Sequence, residues 1–481
     1  MKEVILNDTD CFSSGAFLIN DSQQQHEPFQ GGNHLFLTQN SDSGLKTELI
    51  RLVEETDTVI KVCSFIITDK EIFEVLLAKA KSTNVAIFVL TQLDPSKLVN
   101  SSFLTEEESK EQSYGIHLSY IKILYEHGVH VRASTNAHAK FIVSDRKKGF
   151  IMTANLTTPS LTFNTESAVY MHEKCVESLD HLFDVIFQKG TSYRQYLNTG
   201  KKNKQLVVQN ESNIKAEWLP KVTESNLRYT YEQLENNLYS EIISIIDSAN
   251  TYLYMSSYSI VGLQNLSSFI ESIKNAISRG VNISIFCRGM NFRSDHLKSC
   301  DELSSLGCKI YGDVFNHSKG ILNEKTGLIF TANIDGNHGL INGLEVGLLL
   351  SEQQHSIMCE FHKHLIRTSP FIFKTTPNRK DLFFMYESLE KLKQINPPQF
   401  GDSLLLTVKA GVFIKKEEFE GQPLFYCRSK DANQSQYLMA GNSCYKVGLK
   451  DEEFTLFETA KPSLSFEKFI LKYKYLKIQY N

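Results

Sequence analysis

The sequence lacks the features that mark membrane-spanning, exported and strongly basic proteins. No apolar run approaches the roughly 18 residues that a membrane span needs, and the first residues lack the basic and then apolar pattern of a signal peptide. With 51 Lys and Arg against 55 Asp and Glu, the net charge is -4, so no overall positive field attracts phosphates. We therefore expect a cytoplasmic protein in which any phosphate recognition is local.

Cysteine is also sparse and has no metal-binding or disulfide pattern. The nine cysteines are odd in number and include no Cys-x-x-Cys pair, so neither a disulfide framework nor a zinc site is supported. Cys63 and Cys287 stand in apolar, strand-like runs, which indicates small buried side chains. The sequence predicts no metal ion and no cofactor.

The composition that is present is that of a folded, globular chain. Apolar residues make up 41% and charged residues 22% of 481 residues, with 31 Phe and 20 Tyr. A chain of this length is too long for one ordinary hydrophobic core, so we expect several packing units.

A long-period internal repeat is the most informative feature. Residues 59–91 and 251–289 each read as a strand, an amphipathic helix and a second strand. Each is followed by a helix that leads into a glycine, Gly128 or Gly307, with a histidine ten residues later. Strands that alternate with helices predict an α/β fold with mostly parallel sheets, and two similar halves predict pseudo-two-fold packing.

The repeat divides the chain into five predicted regions. After about residue 373, short alternating runs separated by Gly, Pro and Asn are typical of a small β-rich domain, for which we predict binding of substrate or a partner. The regions are an N-terminal segment over 1–35, a first repeat over 36–192, a linker over 193–236, a second repeat over 237–372 and the β-rich domain over 373–481.

The candidate chemistry lies in a His-x-Lys pair that occurs once in each repeat. We expect each histidine to open a strand, in which residues two apart share one face and an imidazole stands beside an ammonium. One such pair occurs by chance in many proteins, but here an Asn follows 17 or 16 residues later and a Glu 28 residues later. The candidate catalytic residues are His138, Lys140, Asn155, Glu166, His317, Lys319, Asn333 and Glu345.

The pattern of His-x-Lys-x4-Asp, a Ser/Thr-x-Asn turn and then a Glu resembles the paired HKD motifs of the phospholipase D superfamily over about residues 36–372. Two departures stand out. Met152 and Thr153 replace the usual Gly and Ser, and Glu324 stands where the first repeat has Asp145. The resemblance implies two pseudo-two-fold related α/β/α repeats, and it implies that Asp145 and Glu324 support the strand and stay outside the site.

The resemblance also implies a mechanism without a metal ion. The two lysines and two asparagines would hold the non-bridging phosphate oxygens, one histidine would attack phosphorus and form a phosphohistidine, and the other would protonate the leaving group. Glu166 and Glu345 would each hold the far nitrogen of a histidine. Whether each Glu serves its own repeat or the opposite one is open.

The substrate is less determined than the reaction. The first hypothesis is a nuclease or DNA-processing enzyme, with nucleic acid as partner and DNA favoured. The resemblance to bacterial nucleases of this superfamily implies a restriction or phage-defence system with a helicase or ATPase partner. The alternative is a cytosolic phospholipase or phosphatidyltransferase at a membrane surface. A catalytically inactive phosphate-binding scaffold is disfavoured because His and Lys are intact in both repeats, and the oligomeric state is open.

Overall fold

The structure is a computed structural model that describes most of the chain up to residue 376. It describes residues 15–20, 22, 28–39, 42–82, 84–93, 111–134, 137–190, 194–195, 214–222, 225–290 and 293–376, and beyond them the backbone of seven strands between 405 and 477. The predicted linker covers residues 193–236. Its first part, up to residue 213, lies outside the described residues except for 194 and 195.

The helices and strands follow the order that the repeat predicts. Up to residue 195 they are β1 (Ala16–Ile19), β2 (Phe36–Thr38), α1 (Gly44–Glu54), β3 (Val59–Cys63), α2 (Lys70–Lys81), β4 (Ala86–Thr91), α3 (Glu111–Glu126), β5 (His130–Ala133), β6 (Phe141–Ser144), β7 (Lys148–Met152), α4 (Thr158–Thr162), β8 (Glu166–Tyr170), α5 (Glu173–Lys189) and β9 (Arg194–Gln195).

The second half contains the corresponding series, followed by the C-terminal strands. Its elements are β10 (Leu227–Tyr231), β11 (Glu235–Asn236), α6 (Asn237–Ser248), β12 (Tyr252–Ser257), β13 (Ile260–Val261), α7 (Ser267–Ser278), β14 (Asn282–Arg288), α8 (Ser294–Leu306), β15 (Lys309–Asp313), β16 (Gly320–Asn323), β17 (Gly327–Phe330), β18 (Ile334–Asp335), β19 (Leu344–Leu349), α9 (Glu352–Thr368) and β20 (Phe371–Lys374). The last strands are β21 (Leu405–Val408), β22 (Val412–Lys415), β23 (Leu424–Ser429), β24 (Gln436–Ala440), β25 (Ser443–Lys450), β26 (Glu453–Thr459) and β27 (Tyr473–Lys477).

The chain divides into two compact units. The larger contains residues 25–288 and 315–368, and the smaller contains residues 1–24, 289–314 and 369–481. The larger unit has two sheets with the same strand plan, in the orders β2-β8-β7-β6-β3-β4-β5-β9 and β11-β10-β19-β17-β16-β12-β14. This correspondence confirms the two related α/β repeats.

Both sheets are mixed. The βαβ units give the parallel pairs β3 with β4 and β12 with β14, as predicted. More of the remaining pairs are antiparallel than the strand–helix alternation predicts, because the strand after each His-x-Lys motif returns through a tight turn, from β6 to β7 and from β16 to β17. The predicted α/β fold is confirmed, with the parallel pairing confined to β3, β4 and β5 in one sheet and to β12 and β14 in the other.

Local sequence signals explain where several elements begin and end. Helix α2 begins after Asp69, whose carboxylate accepts a hydrogen bond from Ile72 N, and α4 begins after Thr157, whose hydroxyl accepts one from Ser160 N. The two repeat glycines end the preceding helices with positive φ, 89° at Gly128 and 114° at Gly307, a conformation that favours glycine.

The core of the first repeat lies between the sheet and helices α1 and α2. Ile60 and Val62 of β3 and Leu49 and Leu76 of the helices are fully buried. Each such side chain contributes about 1.5–3 kcal/mol relative to exposure. This packing holds the carboxyl end of β3 in place, next to the His138-x-Lys140 motif that precedes its partner strand β6.

The smaller unit is rich in antiparallel strands. Strand β20 pairs with β1 and with β15, and β23 to β27 form a five-stranded sheet in the order β26-β25-β24-β23-β27. The β-rich character predicted for the C-terminal region is therefore confirmed. Among the described residues, no helix is long and apolar enough to cross a membrane.

Candidate active site

The two His-x-Lys motifs lie just before strands and do not open them as predicted. Strands β6 and β16 begin at Phe141 and Gly320, after the two lysines. The motif backbones bond instead to the opposite repeat: His138 N and Ala139 N donate to Leu344 O at 3.1 and 2.8 Å, and His317 N donates to Thr165 O at 3.0 Å. These bonds replace the ladder bonds that would have extended each strand, and they join the two repeats.

Because Thr165 and Leu344 each precede a glutamate, the same bonds bring each glutamate to the opposite histidine. Glu345 Oε1 lies 2.7 Å from His138 Nδ1, and Glu166 Oε1 lies 2.6 Å from His317 Nδ1. The alternative left open by the sequence is thus decided in favour of the opposite repeat. Each carboxylate fixes a ring orientation and leaves the Nε2 edge of the imidazole to face the reactants.

A threonine hydroxyl holds the second oxygen of each glutamate. Thr153 Oγ1 donates to Glu166 Oε2 at 2.6 Å, and Thr331 Oγ1 donates to Glu345 Oε2 at 2.5 Å. Each hydroxyl in turn accepts a backbone N–H from the residue after the glutamate. Thr153 stands where the usual motif has Ser, which also carries a hydroxyl. Thr331 was not predicted, although its matching place in the TAN turn could have identified it.

Both lysines are fully buried beside their own histidines. Lys140 Nζ donates to His138 O at 2.5 Å and lies 3.0 Å from His138 Nε2, while Lys319 Nζ donates to His317 O at 2.6 Å. Both side chains have no exposed surface. A buried ammonium acts in a medium of low dielectric constant, where its attraction for a phosphate oxygen is much stronger than in water.

The two predicted asparagines lie in the turns after β7 and β17. Asn155 and Asn333 are buried, and the Oδ1 atom of Asn333 has no hydrogen-bond partner among the described residues. Matching serines position these turns, since Leu156 N donates to Ser64 Oγ and Ile334 N donates to Ser257 Oγ. The structure therefore brings all eight predicted site residues into the larger unit, in two matching sets.

An aromatic ring packs edge-on against each histidine. The ring centres of Phe65 and His138 are 5.6 Å apart, and those of Tyr258 and His317 are 5.1 Å apart. Neither ring was predicted from the sequence, although Phe65 and Tyr258 occupy the same place after β3 and β12. They exclude water from one side of each imidazole and limit its rotation.

The residue beside each aromatic ring differs between the repeats. Gln92 N donates to Phe65 O and Arg288 N donates to Tyr258 O, both at 3.2 Å, so Gln92 and Arg288 occupy matching positions. The Arg288 guanidinium lies 5.5 Å from the centre of the Tyr258 ring. The His317 side thus carries a positive charge where the His138 side has an amide.

The two His–Glu pairs also differ in their proton affinity. Burial raises the pKa of Glu166 to about 7, against the effect of Lys319 and the Thr153 hydrogen bond. Burial acts to raise the pKa of Glu345 as well, but the hydrogen bond with His138 and the charge of Lys140 hold it below its ordinary value. Burial lowers the pKa of His138, although Glu345 opposes that shift. His138 therefore faces an ionised carboxylate and tends to remain neutral.

Asp145 and Glu324 lie outside the site, as predicted. Asp145 accepts hydrogen bonds from Asp57 N, Thr58 N and Val59 N at 2.7–3.0 Å, at the start of β3. Glu324 accepts them from Asn250 N at 2.9 Å and Thr251 N at 3.4 Å, at the start of β12. The longer Glu324 side chain fills the role of an aspartate in the second repeat.

Two α/β repeats that each contribute a buried His-x-Lys set to one site define the phospholipase D class of fold. Residues 49–189 match the family model described as cardiolipin synthase, PLD-like domain. This part of the chain, which lies within the first repeat, is thus similar in sequence to phospholipase D-like domains. No curated protein matches the sequence.

Several solved structures are similar to this chain at low identity. Phosphatidylserine synthase from Haemophilus influenzae Rd KW20 is 12% identical, over 76% of this chain and 90% of that chain, with a TM-score of 0.47. Polyphosphate kinase from Porphyromonas gingivalis is 13% identical, over 69% of this chain and 49% of that chain, with a TM-score of 0.44. The match thus spans about half of the kinase. The phospholipase D family member Nuc from Salmonella typhimurium is 17% identical, over 31% of this chain and 97% of that chain, with a TM-score of 0.26.

Proposed function

We propose that the protein is a metal-independent phosphodiesterase that acts through a phosphohistidine, and that its substrate is a nucleic acid, with DNA favoured. The observation that carries the reaction class is the pair of buried His–Glu contacts across the two repeats, each with a buried lysine beside the histidine. A phosphodiester needs its charge neutralised, a nucleophile and a proton for the leaving oxygen. The site has groups suited to each task.

His138 is the proposed nucleophile. An ammonium can only donate, so the 3.0 Å contact from Lys140 Nζ requires a lone pair on His138 Nε2. The Nδ1 proton then points to Glu345. Nε2 attacks phosphorus, a P–N bond forms and the bond from phosphorus to the leaving oxygen breaks.

His317 is the proposed acid and base. It gives the Nε2 proton to the leaving alkoxide, and it later removes a proton from water, whose oxygen attacks phosphorus and breaks the P–N bond. Lys140 and Lys319 hold the non-bridging oxygens together with the amide groups of Asn155 and Asn333. Because phosphate charge is neutralised by ammonium groups, the reaction has no step that needs a divalent ion.

Metal independence has a direct test. Both oxygens of Glu166 and of Glu345 are already held, one by a histidine and one by a threonine, so these carboxylates are committed to positioning. We expect turnover to survive EDTA. Complete loss on chelation, with recovery on adding Mg²⁺ or Mn²⁺ for every substrate tested, would overturn the proposed mechanism.

Phosphatidyl transfer at a membrane surface is the second candidate. It is favoured by the description of the matching family model, which names cardiolipin synthase. The deciding assay incubates the protein with single- and double-stranded DNA, with RNA and with anionic liposomes. Cleavage of nucleic acid that is lost in His138→Ala supports the first candidate, and head-group release that is lost in the same variant supports the second.

The cellular setting is part of the proposal. We place the protein in the cytoplasm, in a restriction or phage-defence system, with a helicase or ATPase as partner. Co-purification of the tagged full-length chain from its native host, followed by mass spectrometry, tests this setting. Recovery of no ATPase above the level of an untagged control would count against the partner.

A further inference from the structure

Two exposed phenylalanines lie beside the half of the site that contains His317. Phe163 and Phe315 are 50% and 45% exposed, which is unusual for large apolar side chains in the described part of this chain. Phe163 stands three residues before Glu166, the carboxylate that holds His317, and Phe315 stands two residues before His317. Thr165 N donates to Phe315 O at 2.8 Å, so the two segments run side by side.

The matching positions of the other half are polar. Three residues before Glu345 the sequence has Asn342, and two residues before His138 it has Asn136. The repeats share their strand plan and their His–Glu contacts, so the fold does not require phenylalanine at these places. The two phenylalanines are therefore better explained by contact with the substrate than by a role in folding. Such a contact would occur only beside His317.

We propose that Phe163 and Phe315 stack a base of a single-stranded nucleic acid, namely the base of the nucleoside that departs with the leaving oxygen. The inference rests on the proposed function, in which His317 protonates that oxygen. His138 and His317 are 3% and 0% exposed, so the phosphodiester must enter a narrow site, as an extended single strand can. A base joined to the leaving oxygen through its sugar reaches the edge of the site, next to the backbone segments that carry the two exposed rings.

Stacking also supplies the affinity that the overall charge does not. A net charge of -4 gives no general attraction for a polyanion. Stacking of one base on an aromatic side chain contributes roughly 1–3 kcal/mol and tolerates all four bases. The rings therefore fit an enzyme that recognises a single strand locally and with little sequence preference.

A lipid surface fits the same rings less well. Interfacial binding grows with the apolar area inserted and with positive charge facing anionic lipids. Here two half-exposed rings stand on one side of the site in a chain with a net negative charge. The observations therefore favour a nucleic-acid base as the partner of these rings. The experiment must distinguish base stacking from insertion of the rings into a membrane.

The experiment uses the full-length protein and single-stranded oligonucleotides in which one abasic position is moved through the sequence. Removal of the base next to the cleaved phosphate on the leaving side should raise KM roughly 5- to 150-fold, the equivalent of one stacked base. Phe163→Ala with Phe315→Ala should raise KM for the intact oligonucleotide by a similar factor and abolish sensitivity to the abasic position. Tryptophan at both positions should restore the wild-type KM and the sensitivity to the abasic position.

Control substrates and variants distinguish an error in the base-stacking inference from an error in the proposed reaction. Methyl trichloroethyl phosphate has a good, non-aromatic leaving group, and the double alanine variant should hydrolyse it with unchanged kcat and KM. Asn342→Ala, the matched change on the other half, should leave the abasic effect intact. Either no abasic effect in the wild-type protein or no change in the double variant would overturn the inference.

Three further outcomes are decisive. Hydrolysis of the dialkyl phosphate without cleavage of any oligonucleotide would overturn the inference and leave the proposed reaction standing. Head-group release from phosphatidylglycerol and phosphatidylcholine vesicles that requires both phenylalanines would assign the rings to a lipid surface. Inactivity on every substrate would overturn the proposed function itself, and the inference with it.

Discussion

At the scale of single residues, the two half-sites have the same residue types in unequal surroundings. Lys140 contacts the Nε2 edge of His138, and the Glu345 carboxylate on the other edge has a lowered pKa. Glu166, beside His317, has a pKa raised to about 7. One pair is therefore set to present a lone pair, and the other can carry an extra proton near neutral pH.

This inequality predicts which variant accumulates a covalent adduct. In His317→Ala, attack by His138 on a phosphodiester with a good leaving group needs no acid, but hydrolysis of the adduct then has no base. We expect intact-mass spectrometry to show an adduct on His138 in His317→Ala and none in His138→Ala. The reverse pattern would exchange the two roles, and no adduct in either variant would remove support for the covalent route.

The raised pKa of Glu166 predicts the alkaline limb of the pH profile. Glu166 loses its proton near pH 7. Because Glu166 and His317 share a hydrogen bond, we expect this proton to be the one that the pair supplies to the leaving alkoxide. With an alkoxide leaving group, kcat/KM should fall about tenfold per pH unit above that value. With p-nitrophenolate, which needs no acid, it should stay flat.

Two glutamine variants check this assignment. Glu166→Gln removes the charge that holds the proton on the pair, so the alkaline limb should move to lower pH. Glu345→Gln, the matched change beside His138, should lower the rate and leave the limb where it is. A rate on the alkoxide substrate that rises above pH 7 would contradict His317 as the acid.

The sequence could pick out the eight candidate residues, because each one recurs at a matching position in the second repeat. It could not predict that the Glu contacts cross between repeats, since this depends on the backbone bonds from His317 N to Thr165 O and from His138 N to Leu344 O. Phe65 and Tyr258 were missed for a related reason. An aromatic residue after a buried strand is ordinary core composition until its ring is seen against a histidine.

At the scale of elements, the turn that follows β6 is tied to the start of β3, the strand beside it in the sheet. Asp145 has a φ of 51° and accepts three backbone hydrogen bonds at the start of β3. Burial opposes its ionisation, but these bonds lower the pKa of Asp145 to about 2. Its contribution to stability is thus present above the ordinary carboxyl pKa and is lost as pH falls through about 2.

Asp145→Ala should therefore destabilise the fold and spare the chemistry. Loss of hydrogen bonds to a charged acceptor should lower the free energy of unfolding by about 1.5–3 kcal/mol, measured by urea denaturation followed by circular dichroism. Asp145→Asn, which keeps a carbonyl acceptor and tolerates positive φ, should lose less. Turnover of a small phosphodiester by the folded variant should stay near wild type.

The second repeat supplies the matched test. Glu324→Ala removes the equivalent acceptor of Asn250 N and Thr251 N and should behave in the same way. A large fall in kcat without a fall in stability, in either variant, would place that carboxylate in the chemistry. The element boundaries themselves were predictable for the βαβ units, whose periodicity is strong. They were less predictable at the starts of β6 and β16, because the motif just before each strand bonds to the opposite repeat.

At the scale of the whole molecule, the chain order of the smaller unit could not be inferred from the sequence. Strand β1, at residues 16–19, pairs with β20, at residues 371–374, and residues 289–314 belong to the same unit. Such grouping depends on contacts between distant segments, and local periodicity carries no information about them. The five regions defined from the repeat remain a proposal about how the chain is organised along its length.

The C-terminal strands should recruit substrate or a partner and take no part in the chemistry, because all eight site residues lie between residues 138 and 345, in the larger unit. A protein that ends after Lys374, and so keeps β20 intact, should hydrolyse a small phosphodiester with a kcat within about twofold of the full chain. Its KM for a long nucleic acid should rise, since remote contacts contribute binding energy. His138→Ala in the shortened protein is the control for residual activity. Loss of small-substrate turnover in a shortened protein with an unchanged circular dichroism spectrum would show that residues after 374 complete the site, and equal KM for long and short nucleic acids in both proteins would remove their recruiting role.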